Sequence, residues 1–285
     1  MNNIELSTIY LPLLDRVYKQ NSKTAILEGD EATMKRGDNG ELKVAKLDMD
    51  ALGDFSRNDG YTKGSTTFRW ETIKYDKERS QDLRIDRLDN AEALKLPFAK
   101  LSSEFIRTKV VPETDAARIA KIAGTEGIST KEETLTDGAS VISALRACAN
   151  KMDEDEVDPE NRILFITPTK KGLVSDLDTT KSKEVLSKFS KIIEVPQTRM
   201  YTKIELKDGK TEYGYSKASD GKEINFLCVE KSAAVVHMEQ FIKYFTPDED
   251  QDGDDNVFKY RNNNLYGHVY ENKLAGVYCS YKPAE

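Results

Sequence analysis

One stretch limits what this chain can fold into. From Arg84 to Gly124 the sequence RIDRLDNAEALKLPFAKLSSEFIRTKVVPETDAARIAKIAG carries the longest sustained helical pattern. Leu94, Phe98, Leu101 and Phe105 recur at spacings that put them on one helix face. Past Pro112 the pattern resumes with Ala116, Ile119, Ala120 and Ala123, and Gly124 is a stop. Pro97 would cost about 3 kcal/mol in a helix interior. That places the regular start near Leu94, with Pro97 in the first turn, where its missing N–H is not needed. Asp89 or Asn90 can cap the approach. A helix from Leu94 to Ala123 is about 45 Å long, enough to act as a strut for a whole subunit. Pro112 is expected to kink it or split it into two nearly collinear pieces.

The rest of the chain has to fold around that strut. Its 285 residues allow one large domain or two interleaved subdomains. No run approaches the roughly 18 apolar residues of a membrane span. The N-terminus lacks a basic region and does not read as a signal peptide. Ile4, Leu6, Ile9, Leu11, Leu14 and Val17 make it an amphipathic arm instead. Cys148, Cys228 and Cys279 are scattered, which argues against a disulfide framework and for a reducing compartment. A net charge of −7 does not suit a chain that wraps nucleic acid over a broad surface.

Residues 24–28 and 42–48 read as short strands. Residues 51–66 are rich in glycine and charge, and read as an exposed loop or hairpin tip. Phe68 to Asp76 alternates with an aromatic on each face, as in an arm lying between two surfaces or a twisted strand at a domain edge. Glu78-Arg79-Ser80 reads as a polar turn. Beyond Gly124, Asp137–Met152 is an amphipathic helix with Val141, Ile142, Leu145 and Cys148 inward. Residues 163–167 and 225–229 are buried strands, and Pro168 and Lys181–Phe189 mark short helices. Asp208-Gly209 marks a hairpin. Residues 257–281 read as two strands about a turn near Glu271–Lys273. Helices and strands are segregated without a βαβ rhythm, which defines an α+β chain.

Catalytic patterns are lacking. His237 and His268 are the two histidines, and neither sits in a metal-spaced or nucleophile-paired pattern. Phosphate-binding glycine loops and nucleophile elbows are missing from the sequence. Asp248, Asp250, Asp252 and Gly253 imitate a calcium loop, but the twelfth position is Lys259 where a bidentate Glu is needed. An exposed acidic turn is the better reading. Asp86 and Asp89 alternate with Arg84 and Arg87, a charge lattice of the kind that sets register where subunits meet. No enzyme and no cofactor is expected; the remaining features are extended arms, a strut and abundant charge.

Three stretches carry a resemblance. WETIKYDKERSQDLRIDRLDNAEA from Trp70, EFIRTKVVPETDAARIAKIA from Glu104 and VFKYRNNNLYGHVYENKLAGVY from Val257 resemble the major capsid proteins of tailed phages of Gram-positive bacteria, with the Hong Kong 97-type fold. The resemblance covers about Asp48 to Tyr281. It implies an N-terminal arm (1–30), an extended β-hairpin loop (51–80) and an axial domain (128–243). A peripheral domain would be built from 31–50, 81–127 and 244–285, with the spine helix at about 94–123. It implies a shell protein that forms pentamers and hexamers around double-stranded DNA. Its partners would be a separate scaffolding protein, a portal and DNA held by non-specific contacts, with no membrane. Localisation would be the virion, assembled in the host cytoplasm. Expected assembly contacts are Arg57, Lys63, Arg69 and Trp70 on the loop, Arg84, Asp86 and Arg87 before the spine, and Glu104, Arg107 and Arg118 along it. Some family members crosslink a loop lysine to a neighbour's asparagine; Lys63 lies in that region and reads more simply as a solvated tip. An encapsulin-type compartment shell is the alternative within the fold, and a calcium-binding protein using residues 248–256 the alternative outside it.

Overall fold

The computed structural model describes residues 17–18, 20–29, 34–36, 41–58, 60–86, 96–177, 179–249 and 253–283. Residues 1–16 of the expected arm, Arg87, the caps Asp89 and Asn90, Leu94, Asp250 and Asp252 lie outside them. The chain forms two compact units, Gly29–Asp76 by itself and Met1–Glu28 together with Lys77–Glu285.

The smaller unit is an antiparallel sheet. Strand β1 (Met34–Arg36) pairs with β2 (Glu41–Met49), which pairs with β3 (Thr66–Lys74). Leu42 lies opposite Ile73, and both are buried with Val44 on the inner face. Phe68 and Trp70 point to the other face by the two-residue period. Between β2 and β3 the chain runs out into a tip.

The larger unit begins with β4 (Lys77–Asp86), where a polar turn was expected at Glu78–Ser80. Burial alternates along it, with Arg79, Gln81, Leu83 and Ile85 turned inward. Two of those inward residues are polar, so the sequence pattern hid the strand. The spine follows as α1 (Leu96–Phe105), a π turn (Ile106–Val110) and α2 (Val111–Ala123). The expected interruption at Pro112 takes this form. Proline cannot donate to the carbonyl four residues back, and the wider π turn immediately before it absorbs that break without ending the helix.

After α2 come β5 (Ser129–Glu132), α3 (Gly138–Glu154), β6 (Arg162–Ile166), α4 (Pro168–Leu177), α5 (Thr180–Leu186) and β7 (Lys191–Glu194). Asp137 caps α3 in a capping box with Ser140. The hairpin β8 (Ile204–Leu206) and β9 (Tyr215–Lys217) flanks Asp208-Gly209, with Gly209 at φ +75°. Then follow β10 (Ile224–Glu230), β11 (Ala234–Phe245), β12 (Asp255–Val269) and β13 (Val277–Tyr281).

Two sheets share the spine. One has the order β11-β12-β4, all antiparallel; the other has the order β5-β13-β10-β6-β7. The first packs on Phe105, Ile106, Val110 and Val111. The second meets Ile119, Ile122 and Ala123 through Ile163, Phe165, Leu227 and Val229, and meets α3, α4 and α5 through Leu164, Ile166, Phe226 and Cys228. With both faces covered, β6 and β10 are buried along their whole length, which is why they read as continuous apolar runs. The strut therefore serves both cores: its first half packs on the three-stranded sheet and its second half closes the core of the five-stranded one.

Two further expectations change. Residues 24–28 are a 3₁₀ turn (Ala25–Leu27) with Glu28 bridged to Val236, where a strand was expected. Residues 257–281 do contain two strands, but they part company. β12 stays in the three-stranded sheet, whereas β13 inserts between β5 and β10.

Candidate assembly surfaces

In the smaller unit the tip between β2 and β3 exposes apolar groups that a solitary subunit would normally cover. Leu52 is fully exposed, Tyr61 is 89 % exposed and Phe55 61 %. Phe55 and Tyr61 meet edge to face at 5.2 Å. A Ser56–Gly60 bridge, with Gly60 at φ +82°, and a Thr62 hydroxyl donating to Asp54 O at 2.8 Å hold the tip in shape. On β3, Phe68 and Trp70 meet at 5.7 Å, with Phe68 59 % exposed. Arg57, Lys63 and Arg69 are exposed on the same unit. Clustered exposed aromatics of this kind mark a contact surface.

Along the spine, Glu104 and Arg107 form an exposed pair on the last turn of α1 and the π turn, with Arg107 Nε donating to Glu104 at 3.1 Å. On β4, Arg84 reaches Asp82 at 3.3 Å, and Asp86 is exposed. Glu104, Arg107, Arg84 and Asp86 are all exposed.

Arg118 is not. It was expected on the charged outer side, and it is fully buried. Its Nη2 donates to Glu28 at 3.1 Å and its Nη1 to Thr24 Oγ1 at 3.4 Å, and it lies 5.7 Å from the centre of the Tyr18 ring. One helical turn before it, Asp115 is also fully buried. Its carboxylate accepts from Ser22 Oγ at 2.7 Å, Lys23 N at 3.0 Å, Thr24 Oγ1 at 2.7 Å and Arg199 Nη1 at 3.1 Å. Burial pushes the Tyr18 hydroxyl well above its usual range. The reason for the correction is position: Val111, Asp115, Arg118 and Ile122 share one helix face, and that face is the buried one. Sequence reasoning missed Asp115, whose signal was this placement of a charge in the apolar stripe.

A second charged joint was missed too. Arg79 on β4 forks onto Glu113, with Nε to Oε1 at 2.7 Å and Nη2 to Oε2 at 3.0 Å. Its Nη1 donates to Lys207 O at 2.5 Å. The hydrogen bonds that Arg79 donates to Glu113 hold the guanidinium pKa above its ordinary value. Beside this joint a groove of about 780 Å³ runs between β4, the π turn and the β8–β9 loop, floored by Phe105, Val110 and Tyr260.

Of the acidic turn only Asp248 and Glu249, and the residues from Gly253 on, are described. Asp248 lies in a 3₁₀ turn (Pro247–Glu249), and the flanking elements β11 and β12 are paired strands rather than helices. Among the described residues no group of His, Cys, Asp and Glu is placed to hold a metal ion. His237 and His268 lie on adjacent strands, with His268 edge-on to Tyr270. No described helix is long and apolar enough to cross a membrane.

No family model and no curated protein matches the sequence. Solved structures do. The capsid of cyanophage P-SCSP1u is 14 % identical with a TM-score of 0.57, over 88 % of this chain and 86 % of that one. The chain has the Hong Kong 97-type capsid fold. The head structure of Helicobacter pylori bacteriophage KHP40 shares this capsid fold at 11 % identity, with a TM-score of 0.56 over 93 % and 91 % of the two chains. So does a virus-like particle from Pyrococcus furiosus, at 11 % identity and a TM-score of 0.55, over 95 % and 99 %. The capsid fold thus spans nearly all of this chain and of its structural neighbours, with little sequence in common.

Proposed function

We propose that this chain is the major capsid protein of a tailed bacteriophage, assembling into the pentamers and hexamers of an icosahedral shell around double-stranded DNA. The observation that carries the reading is the near end-to-end match to phage capsid and head structures. The exposed aromatic tip supports it, since a surface that apolar suits a neighbouring copy. The extended loop expected at 51–80 is then carried by the 29–76 unit, with 31–50 belonging to it rather than to the peripheral domain. The spine and the three-stranded sheet serve as the peripheral domain, and the five-stranded sheet with α3–α5 as the axial domain. Residues 1–30 serve as the N-terminal arm. Partners in this reading are copies of the chain, a scaffolding protein and portal during assembly in the host cytoplasm, and packaged DNA. Its role is structural, with no catalysis.

Electron microscopy of the expressed chain, with and without a co-expressed scaffold, tests it. Closed shells are expected; a chain that stays monomeric under every assembly condition overturns the reading. The likeness to a virus-like particle favours a second reading, a compartment shell of the encapsulin type. Particle contents separate the two: genomic DNA and a portal vertex for a phage, protein cargo for a compartment.

A further inference from the structure

Strand β4 is an edge of its sheet. Among the described residues β12 pairs with one side of it and no strand pairs with the other. It is ten residues long, from Lys77 to Asp86, and the groove beside the Arg79–Glu113 joint borders it from Glu78 to Leu83. A long edge is a template for a strand of another chain. Natural edges often carry charge to block this. Whether β4 repels or accepts a strand therefore depends on how its charges are laid out.

Two copies of β4 meeting about a two-fold axis run antiparallel, and each contact occurs twice. Residues directly opposite one another share a face, so only registers centred on a residue keep inward side chains opposite inward ones. Most of these fail on charge. Centred on Arg79, Asp82 or Arg84, that residue opposes its own copy; centred on Ser80, Glu78 opposes Asp82. Centred on Ile85, the overlap shrinks to Arg84–Asp86. Centred on Gln81, Glu78 opposes Arg84, but the inward Arg79, already held by Glu113, is laid against Leu83. Centred on Leu83, every contact is tenable. Outward, Asp82 opposes Arg84 twice and Ser80 opposes Asp86; inward, Leu83 opposes Leu83 and Gln81 opposes Ile85. Asp82 and Arg84 already pair within one chain at 3.3 Å, with side chains 41 % and 37 % exposed. The two-fold then makes a ring of alternating charge from the four groups.

We infer that β4 is a docking edge for a second copy of this chain, pairing antiparallel through Ser80–Asp86 about a two-fold axis at Leu83. The pairing joins the three-stranded sheets of two subunits into one. It rests on the reading that copies of the chain are its partners, and it deepens that reading by naming the strand and the register of one contact.

Disulfide trapping on the full-length chain tests the register. Ser80→Cys with Asp86→Cys puts thiols on an opposed pair at exposed positions. The native cysteines are buried and do not compete. Mild oxidation of this two-cysteine parent should give a linked dimer on a non-reducing gel, and each single-cysteine chain at least about fivefold less. Added to the parent, Asp82→Arg or Arg84→Asp sets like charges across the axis and should lower the dimer yield at least about fivefold. Mixing those two variants restores opposite charges between the chains and within neither, and should return the yield to near the parent's. A role confined to folding of one chain predicts no such rescue. A melting curve checks that each variant is folded; where one is not, Asp82→Lys or Arg84→Glu makes the same charge change. A parent without dimer, single-cysteine chains that link as well as the parent, or a mixture no better than its components overturns the docking edge. The gel is run on particles and on unassembled chain. Particles without the linked dimer overturn the edge alone, whereas the dimer with rescue but without particles supports the edge and fails the capsid reading.

Discussion

Asp115 is a carboxylate with no exposed surface and hydrogen-bond donors from two separate parts of the chain, residues 22–24 and Arg199. Removing one member of such a buried charged group leaves the others uncompensated. Asp115→Ala should lower stability by about 3–5 kcal/mol, read as a shift of the urea midpoint. Lys63→Ala on the exposed tip should stay within about 0.5 kcal/mol of the parent. The sequence reading put Arg118 on the outer side and passed over Asp115, because it could not see their partners. Ser22, Thr24, Glu28 and Arg199 are far away along the chain, and periodicity carries no long-range information. Cys279 gives a pH prediction. Burial pushes its thiol up to about 12, from an ordinary value of 9.0. The folded state then holds its proton more tightly than the unfolded state does. That stabilisation is complete below about pH 9 and is lost as pH rises towards 12. The stability gap between the parent and Cys279→Ala should therefore narrow over that range in denaturant titrations.

At the scale of elements, the π turn decides which core each half of the spine serves. Its extra residue offsets the faces before and after it by about 100°. Deleting Thr108 should convert it to α-helix. Far-ultraviolet circular dichroism should then stay near the parent's, while the near-ultraviolet signal from Phe105 against Tyr260, now 5.7 Å apart, is lost and the melting temperature falls. The second half of the spine also needs Gly267 on β12, where a Cβ would lie 2.7 Å from Ile122 Cγ1. Gly267→Ala should cost about 1–3 kcal/mol, measured by the same melts. Elements with clean physics were legible in the sequence. Helix α3 showed its apolar face, and β6 and β10 showed two-sided burial. Strand β4 was not legible, because Arg79 and Gln81 occupy inward positions that only a partner such as Glu113 makes tenable. The 3₁₀ turn at Ala25–Leu27 was misread because three apolar or small residues satisfy a strand pattern as well as a turn. Pro112 announced a break in the spine, but nothing local says whether a chain answers with a kink or a wider turn.

For the whole molecule, the capsid reading separates folding from assembly. Removing residues 55–66 takes away exposed residues of the tip and none of the buried clusters. The shortened subunit should melt within a few degrees of the parent, yet fail to close shells in electron micrographs. Normal shells would refute the loop's role. The resemblance in the sequence anticipated the fold as a whole. It misassigned the last strand, because strand order in a sheet is fixed by long-range pairing that three local stretches do not encode. That strand, β13, lies between β5 and β10 and supplies the parallel partner of β5. On the ribosome, β5, β10 and β6 all emerge before it. Of the five strands of this sheet β13 is made last, so the slot between β5 and β10, and with it the core under α2, closes only after the other four have been synthesised.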